Sequence, residues 1–383
     1  MTTTISSDNV VVKGSNLGSD FRTTRNVIHN GDFRVNQRAQ SSYLQGTMTL
    51  DRWYSSANYG TQYISQQTTT SFPGYFLRAS TTGAAAVSAT SFNWIAAQQL
   101  EGNDLATLGL GTYVSNAKYI TVSFWVRSSL TGTSSVLIGV GNASGTWLYS
   151  YRSYSISTAN KWEYKSATFN VSSNVNCPAP TYDNNFSFGI WFVGGIGSNY
   201  YSATENTFTT TVYAGTASNV NFTGTLNATF DLARVQVEAG SYPTQFEFIP
   251  IAQELERCMR YYQKSYALGT QVGTGTFDGA YGHTWTAQRP NYYASFGFWY
   301  TIPLQTRMRT APTVGLWAPN SGTGSRFSID TGSYVDGLAY TNAISDSAIQ
   351  VYSQNPADYG KSGVQQFYGG YIHYRATCDA ASS

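Results

Sequence analysis

The sequence predicts an all-β protein made of two β-sandwiches that are joined by one short helix. Charged residues form only 11% of the 383 residues, whereas aromatic residues form 15% and include 30 Tyr. Aromatic and β-branched side chains pack well across neighbouring strands, so this composition favours sheets. Alternating apolar segments recur along the chain between clusters of Gly, Ser, Asn and Thr, which is typical of sandwiches.

The composition excludes several functional classes. The net charge is only +2, and no block of Lys and Arg is present, so we expect no nucleic-acid partner. Cys177, Cys258 and Cys378 are too widely spaced for a disulfide framework or a CxxC metal site. The N-terminus lacks the apolar core of a signal peptide, and the longest apolar run, 188–197, is too short to cross a bilayer. We therefore expect synthesis in a cytoplasm and no membrane insertion.

The first elements are an arm and a β-rich module. Residues 1–25 are polar, and we predict an arm that becomes ordered against a partner. The first module covers 26–249, and near its start Asn30-Gly31 predicts a turn in which Gly31 takes a positive φ. Its strand candidates are TQYISQQ, GYFLRAS, YITVSFWVRS, SVLIGVG, WEYKSATFNV, NFSFGIWFVG, TFTTTVYAG and TFDLARVQVE. YITVSFWVRS alternates most clearly, with Ile120, Val122, Phe124 and Val126 on one face.

Two segments favour helices. Residues 94–109, WIAAQQLEGNDLATLG, predict a short helix at most. Residues 250–265 predict a connecting amphipathic helix, because Pro250 suits the first turn and an apolar stripe follows at helical spacing. The stripe has two interpretations: packing on the chain's own sandwich, or contact between three copies of the helix on a symmetry axis. Its members are Ile251, Leu255, Cys258, Met259 and Tyr262.

A second β module is predicted for residues 266–383. Its apolar segments suit a smaller C-terminal sandwich and do not repeat the first module. The strand candidates are TWTAQR, YYASFGFWYTI, TVGLWAP, RFSIDTG, AIQVYSQ and GGYIHYRATCDA.

The ionisable residues do not form a catalytic pattern. Asp and Glu together number 20, and Asp51-Arg52 is interpreted as a strand start or a local ion pair. His29, His283 and His373 are isolated, without the spacing of a zinc site. We predict no catalytic residue and no enzyme. A glycosidase pair, whose carboxylates can lie far apart in sequence, stays an alternative.

Clustered aromatic residues are the best candidates for a binding site. Sugar rings stack on flat aromatic side chains, while nearby Asn and Gln can bond to the hydroxyl groups. The alternative is cross-strand packing or contact between subunits, where Tyr and Trp are also enriched. The candidates for glycan binding are Trp147, Tyr149, Tyr151, Tyr200, Tyr201, Tyr292 and Tyr293.

Several motifs resemble those of phage tail-fibre and virion-associated proteins. Residues 26–54, NVIHNGDFRVNQRAQSSYLQGTMTLDRWY, resemble the pattern N-x-I-x-N-G-D-F-x-V-x-Q-R followed by D-R-W. Residues 232–266 resemble V-Q-L-E-x-G, T-x-F-E and a helix with E-L-x-x-C-x-R-Y-Y. IPLQTRMRTAPTV (302–314) and YIHYRATCDA (371–380) match near the end, in the same order. Together the motifs bracket nearly the whole chain.

This resemblance implies a virion component in which the first module is a jelly-roll similar to carbohydrate-binding modules. It implies a tail fibre or receptor-binding protein that docks through its arm onto other virion proteins, forms a homotrimer and attaches to host surface polysaccharide. A capsid decoration, head-fibre or neck protein and a polysaccharide depolymerase are the alternatives. Relatives of the jelly-roll often hold structural calcium, here near Asp32 and Asp231. Arg34 stands where Glu is usual, so calcium is left open and no other cofactor is expected.

Overall fold

A computed structural model describes residues 25–110, 119–141, 145–171, 182–287, 299–330, 334–352 and 366–379. It also gives the backbone of two short paired strands, β1 (Val11–Val12) and β2 (Ser15–Asn16), while the rest of the predicted arm up to residue 24 lies outside the described residues. The described chain is nearly all β, which confirms the predicted fold class. No helix among these residues is long and apolar enough for a membrane span.

The chain forms two compact units. The first comprises Met1–Phe33, Leu44–Thr47 and Trp53–Ile249, and the second comprises Arg34–Tyr43, Met48–Arg52 and Pro250–Ser383. Two short segments of the predicted first module, 34–43 and 48–52, therefore group with the C-terminal unit. The reason is a buried set of ion pairs and hydrogen bonds, described below, that joins them to residues beyond 260.

The first unit is a sandwich of two antiparallel sheets. The strands are β3 (Tyr43–Leu44), β4 (Thr47–Met48), β5 (Tyr54–Ala57), β6 (Thr61–Thr69), β7 (Phe72–Gly83), β8 (Phe92–Glu101), β9 (Tyr119–Ser128), β10 (Gly132–Gly141), β11 (Trp147–Ile156), β12 (Glu163–Asn170), β13 (Phe186–Ile196) and β14 (Thr229–Ala239). Sheet A has the strand order β11-β10-β13-β8-β5-β4, and sheet B has the order β12-β9-β14-β7-β6-β3. The alternation predicted for 119–128 is confirmed, because Ile120, Val122, Phe124 and Val126 are all fully buried.

Two segments of the first unit differ from expectation. Within 94–109, for which the sequence predicts a short helix at most, a 3-10 helix spans Gly102–Leu108, but the residues up to Glu101 belong to strand β8. Pairing with β13 and β5 outweighs the helix propensity of its Ala, Gln and Leu residues. The predicted strand TFTTTVYAG instead forms a connection that contains only isolated bridges, such as Tyr149 with Thr209. Further 3-10 turns lie at Ser198–Tyr200 and Phe222–Gly224.

Residues of the N-terminal motif build the core of the first unit. Trp53 is fully buried, and its indole Nε1 donates to the carbonyl of Asn30 at 3.0 Å. Its ring lies 5.1 Å from that of Phe33. Asn30 and Phe33 take positive φ values of 53° and 58°, whereas Gly31 does not. The turn predicted at Asn30-Gly31 is present, but its residues with positive φ are Asn30 and Phe33 and not Gly31.

The helix is shorter than the sequence predicts. Helix α1 spans Ile251–Met259 and is followed by a strand, β15 (Tyr262–Lys264). Tyr262 therefore belongs to a sheet, because β15 pairs with the C-terminal strand. Of the predicted stripe, Cys258 and Met259 are buried, Leu255 is half-buried and Ile251 is 48% exposed.

The second unit contains two antiparallel sheets around a long C-terminal strand. Its strands after β15 are β16 (Tyr281–Ala287), β17 (Trp299–Pro303), β18 (Thr313–Trp317), β19 (Arg326–Asp330), β20 (Tyr334–Leu338), β21 (Tyr340–Ile344), β22 (Ala348–Tyr352) and β23 (Gln366–Thr377). Strand β23 pairs with four other strands, β15, β16, β18 and β19. Strand β20 extends this sheet beyond β19, and a smaller sheet has the order β17-β22-β21.

A buried ion cluster organises the second unit. The carboxylate of Asp379, just beyond β23, accepts hydrogen bonds from Arg38 at 2.6 Å and Arg52 at 3.1 Å. The Asp379 side chain is 2% exposed and that of Arg52 is 3% exposed. The guanidinium groups of Arg38 and Arg52 lie over the rings of Tyr262 and Tyr261, at 4.2 Å and 3.4 Å. We call Arg38, Arg52 and Asp379 the ion cluster.

Gln37 and Asp51 support this arrangement from the same two segments. The Asp51 carboxylate accepts bonds from the backbone N and the side-chain Nε2 of Gln37, both at 2.6 Å. Burial raises the pKa of Asp51, while Arg38 and Gln37 oppose that rise. Gln37 Nε2 also donates to the carbonyl of Tyr262 at 2.8 Å. The Q-R, D-R and R-Y-Y motifs therefore meet in one polar core.

Candidate functional site

Three aromatic residues form a surface on one face of sheet A. Trp147 and Tyr149 stand on β11, and Trp191 stands on β13. The rings of Trp147 and Tyr149 stack with 18° between their planes and 6.2 Å between their centroids. Trp191 lies edge-on to both, at 6.4 Å and 6.0 Å. We call these three residues the aromatic surface.

The aromatic surface lies on the side of sheet A that faces away from the sandwich core. In the register, Trp147 pairs with Gly141 and Tyr149 with Gly139. The alternate residues, such as Ile138 and Val140, are fully buried and belong to the core. Trp147 and Tyr149 are half-buried, while Trp191 is 7% exposed. Two of the three rings therefore remain partly open to solvent.

Glycine residues allow these rings to lie flat on the sheet. A Cβ atom added to Gly141 would lie 2.7 Å from the Trp147 ring, and one added to Gly139 would lie 3.0 Å from the Tyr149 ring. A Cβ atom added to Gly189 would lie 2.1 Å from Trp191. The glycines in VLIGVG and FGIWFVGG thus keep the backbone bare where a ring covers it.

A hydrogen bond fixes the most buried ring. Trp191 Nε1 donates to the hydroxyl oxygen of Tyr54 on β5 at 2.7 Å. Tyr54 is 5% exposed, and its burial raises the pKa of its phenol well above the ordinary value, which the bond from Trp191 only partly offsets. Tyr54 therefore stays neutral and can donate its own proton to an acceptor.

A second group of rings continues along sheet A. Phe92 and Trp94 of β8 stack at 5.3 Å, and Tyr200 meets the Trp94 ring edge-on at 6.0 Å. Trp94 pairs with Val193, two residues beyond Trp191 on β13. All three rings are half-buried. We call Phe92, Trp94 and Tyr200 the second ring group.

Glycine substitution tests whether the rings depend on a bare backbone. We expect Gly189→Ala to displace Trp191, break its bond to Tyr54 and lower the free energy of unfolding by about 1–3 kcal/mol, because added volume strains a packed site. Tryptophan fluorescence and denaturant unfolding measure both effects. Gly269→Ala is the control, since a Cβ there has open space. Equal spectra and stabilities for the two variants would contradict the expectation.

The structure separates the predicted glycan-binding residues. Trp147 and Tyr149 belong to the aromatic surface, and Tyr200 belongs to the second ring group. Tyr151 is 2% exposed and its hydroxyl donates to the carbonyl of Ser202, so its ring is not presented to solvent. Tyr201 is half-buried and bonds to the carbonyl of Ile196 at 3.3 Å. Tyr292 and Tyr293 lie outside the described residues.

Sequence reasoning missed Trp191, Trp94, Phe92 and Tyr54. Each is close in sequence to buried apolar residues, and a lone aromatic side chain in such a run is usually core. One feature of the sequence could have indicated these rings, namely glycine at alternate positions of neighbouring strands. A ring that lies flat on a sheet needs a residue without a side chain beneath it.

The carboxylate of Asp231 does not suit calcium. Its two oxygens accept bonds from Arg78 at 2.7 Å and 2.8 Å and from Arg127 at 2.7 Å. Calcium needs six to eight oxygen ligands, and two guanidinium groups on the same carboxylate repel a cation. Asp32 is also buried, and within the described ranges no three His, Cys, Asp or Glu side chains cluster as a metal site.

Comparisons with known proteins give matches at the level of structure only. No family model matches the chain, and no curated protein matches it in sequence. A solved domain of the bacteriophage CBA120 tailspike protein 4, titled enzymatically active, is 11% identical with a TM-score of 0.28. The match covers 56% of this chain and 21% of that one, so this chain spans about a fifth of the tailspike domain.

Two smaller proteins are matched over nearly their whole length. A putative sugar binding protein from Bacteroides thetaiotaomicron is 13% identical with a TM-score of 0.31, over 56% of this chain and 100% of that chain. A carbohydrate-binding module, TmCBM61 solved with β-1,4-galactotriose, is 10% identical with a TM-score of 0.27, over 56% and 99%. Similarity of this size does not identify a function, so the proposal below depends on the residues of this chain.

Proposed function

We propose that the chain is a phage tail-fibre or receptor-binding protein that attaches to host surface glycan through the aromatic surface. The observation that carries this proposal is the pair of stacked, partly exposed rings of Trp147 and Tyr149 lying on bare glycine backbone. Such a flat apolar surface suits the C–H face of a sugar ring.

The second ring group extends this surface toward a longer ligand. Neighbouring strands lie about 4.8 Å apart, so the three steps from β11 to β8 cover about 14 Å. A glycan segment of a few sugar units has a comparable length. The motifs that resemble those of phage virion proteins support the same role. Several of these motifs also build the polar core of the second unit.

The proposed role is binding without catalysis. Three carboxylates of the first unit take part in ion pairs: Asp231 with two arginines, Glu163 with Lys165 and Glu205 with Arg152. A paired carboxylate is a poor proton donor for a glycosidic bond. We further propose a trimer on the virion, in which three copies of a weak site add their affinities through effective concentration.

The test measures binding of the purified full-length chain to an array of bacterial surface polysaccharides. We expect retention on at least one polysaccharide and at least about a tenfold loss with Trp147→Ala, because stacking on a Trp ring contributes strongly at binding sites. Tyr242→Ala is the control, since that ring is 77% exposed and lies outside both ring groups.

The other outcomes separate the alternatives. Binding that is unchanged in Trp147→Ala would contradict the aromatic surface as the site. No retention on any polysaccharide, together with failure to block infection, would favour a protein that cements the capsid. New reducing ends in the incubated polysaccharide would identify a depolymerase.

A further inference from the structure

A row of charged residues lies on sheet B of the first unit. Asp231 on β14 pairs in register with Arg78 on β7 and with Arg127 on β9. Its side chain is 1% exposed, whereas those of Arg78 and Arg127 are 30% and 15% exposed. We call these three residues the arginine row.

The arginine row carries more positive than negative charge. One carboxylate neutralises one guanidinium, so the row keeps a net charge of +1. Asp231 binds the Nε and Nη2 atoms of Arg78 but only the Nε atom of Arg127. Within the part of the chain that the structure describes, the Nη groups of Arg127 form no hydrogen bond with protein. A guanidinium has five N–H donors in a fixed fork, so unused donors remain on Arg127.

Aromatic rings hold the two arginines in place. The Cζ atom of Arg127 lies 4.8 Å from the ring centroid of Trp162 and 5.3 Å from that of Phe76, and the Cζ atom of Arg78 lies 5.5 Å from that of Phe76. Phe76 is 1% exposed and excludes water from one side of the row. Charges beside a surface of low dielectric constant interact more strongly than charges in bulk water.

A third cation lies next to the same apolar cluster. Arg234 is placed over the rings of Phe72 and Phe248, at 4.7 Å and 5.1 Å. Phe72 belongs to one cluster with Phe76, against which Trp162 packs. Together with the arginine row, this brings the local net charge to +2.

We propose that the arginine row binds an oxyanion, either a carboxylate or a phosphate group carried by a sugar. Fixed guanidinium forks match these groups, because two parallel N–H donors can reach two oxygens. The fixed position of Arg127 reduces the entropy that is lost on binding. This site is on sheet B, whereas the aromatic surface is on sheet A, so it does not depend on the proposed function.

The experiment titrates the full-length chain with sodium glucuronate, glucose 6-phosphate and glucose, and follows backbone NMR shifts of β9 and β14. We expect saturable shifts with at least one anionic sugar and none with glucose. The affinity should fall as salt is added, because the attraction is screened. Response to glucuronate alone identifies a carboxylate ligand, and response to glucose 6-phosphate alone identifies a phosphate ligand.

Arg127→Gln is the decisive variant. Asp231 keeps its two bonds from Arg78, so the buried carboxylate stays paired and the variant should fold. We expect at least about a tenfold loss of affinity for the anionic sugar, because the variant loses the charge and the parallel N–H donors of the guanidinium. Arg152→Gln is the control, an arginine of the same unit in a loose pair with Glu205 at 3.6 Å.

Two results would overturn the proposal. One is an absence of shifts with both anionic sugars at low salt, and the other is equal affinity in wild type and Arg127→Gln. Neither result bears on polysaccharide binding by the aromatic surface, because the array uses different residues and a different readout.

Discussion

We expect Asp379→Asn to lower the free energy of unfolding of the second unit by about 3–5 kcal/mol, because it leaves two buried guanidinium groups without their shared carboxylate. The asparagine has nearly the same size, so lost charge and not lost volume is responsible. Burial alone would lower the pKa of Arg38, but Asp379 and Asp51 together raise it above its ordinary value. Arg38 keeps its charge in the variant, because a guanidinium is not deprotonated in proteins and Asp51 still raises its pKa.

Hydrogen exchange of the β23 amides measures this loss, because β23 pairs with four strands and reports unfolding of the second unit. Asp346→Asn is the matched control. Asp346 also binds an arginine, Arg307, at 2.7 Å, but the Arg307 side chain is 76% exposed. An exposed pair contributes at most about 1 kcal/mol. Similar losses in the two variants would contradict a dominant role for the ion cluster.

The second large effect is expected for Gly31→Ala, which should destabilise the first unit by about 3 kcal/mol or more. A Cβ at this position would lie 2.2 Å from the carbonyl oxygen of Val235, which is backbone and cannot turn away. Relief of the clash would break the bond from Val235 N to the Gly31 carbonyl at 2.8 Å. It would also disturb the bond from Asn26 Nδ2 to the Val235 carbonyl at 3.1 Å.

Gly46→Ala is the control that distinguishes a steric clash with neighbouring backbone from the strain of a positive φ. Gly46 has φ of 83° but open space where a Cβ would stand, so its substitution should cost only about 1–2 kcal/mol. Chemical denaturation followed through tryptophan fluorescence compares the two variants. If Gly31→Ala proved no more damaging than Gly46→Ala, the contact with Val235 would not explain the glycine.

The sequence-based predictions succeeded where local pattern and tertiary environment agree. The strand at 119–128 is an example, because alternation alone separates its buried face from its other face. The helix prediction failed beyond Met259 because the local pattern and the tertiary environment disagree there. Tyr262 fits a helical stripe, but pairing of Tyr262–Lys264 with Arg375–Thr377 is a long-range contact that no local pattern contains.

The prediction of the binding site was also limited by contacts between residues that lie far apart in the sequence. Trp147 and Tyr149 are neighbours in sequence, and their spacing already places them on one face of a strand. Trp191 joins them only because β10 lies between β11 and β13, and strand order cannot be read from a single sequence. Asp51-Arg52 was interpreted as a strand start or a local ion pair, whereas Arg52 binds Asp379, 327 residues away in the sequence.

That separation has a consequence for biosynthesis. Arg52 is synthesised 327 residues before its carboxylate partner Asp379, and the strand β23 comes just before that partner. Residues 53–249 can fold while translation continues, since domains generally fold as units and N-terminal ones first. Until then, the two segments that carry Arg38 and Arg52 lack the carboxylate of Asp379. Closing a loop of this length slows folding. The second unit can thus be completed only after β23 and Asp379 have been synthesised.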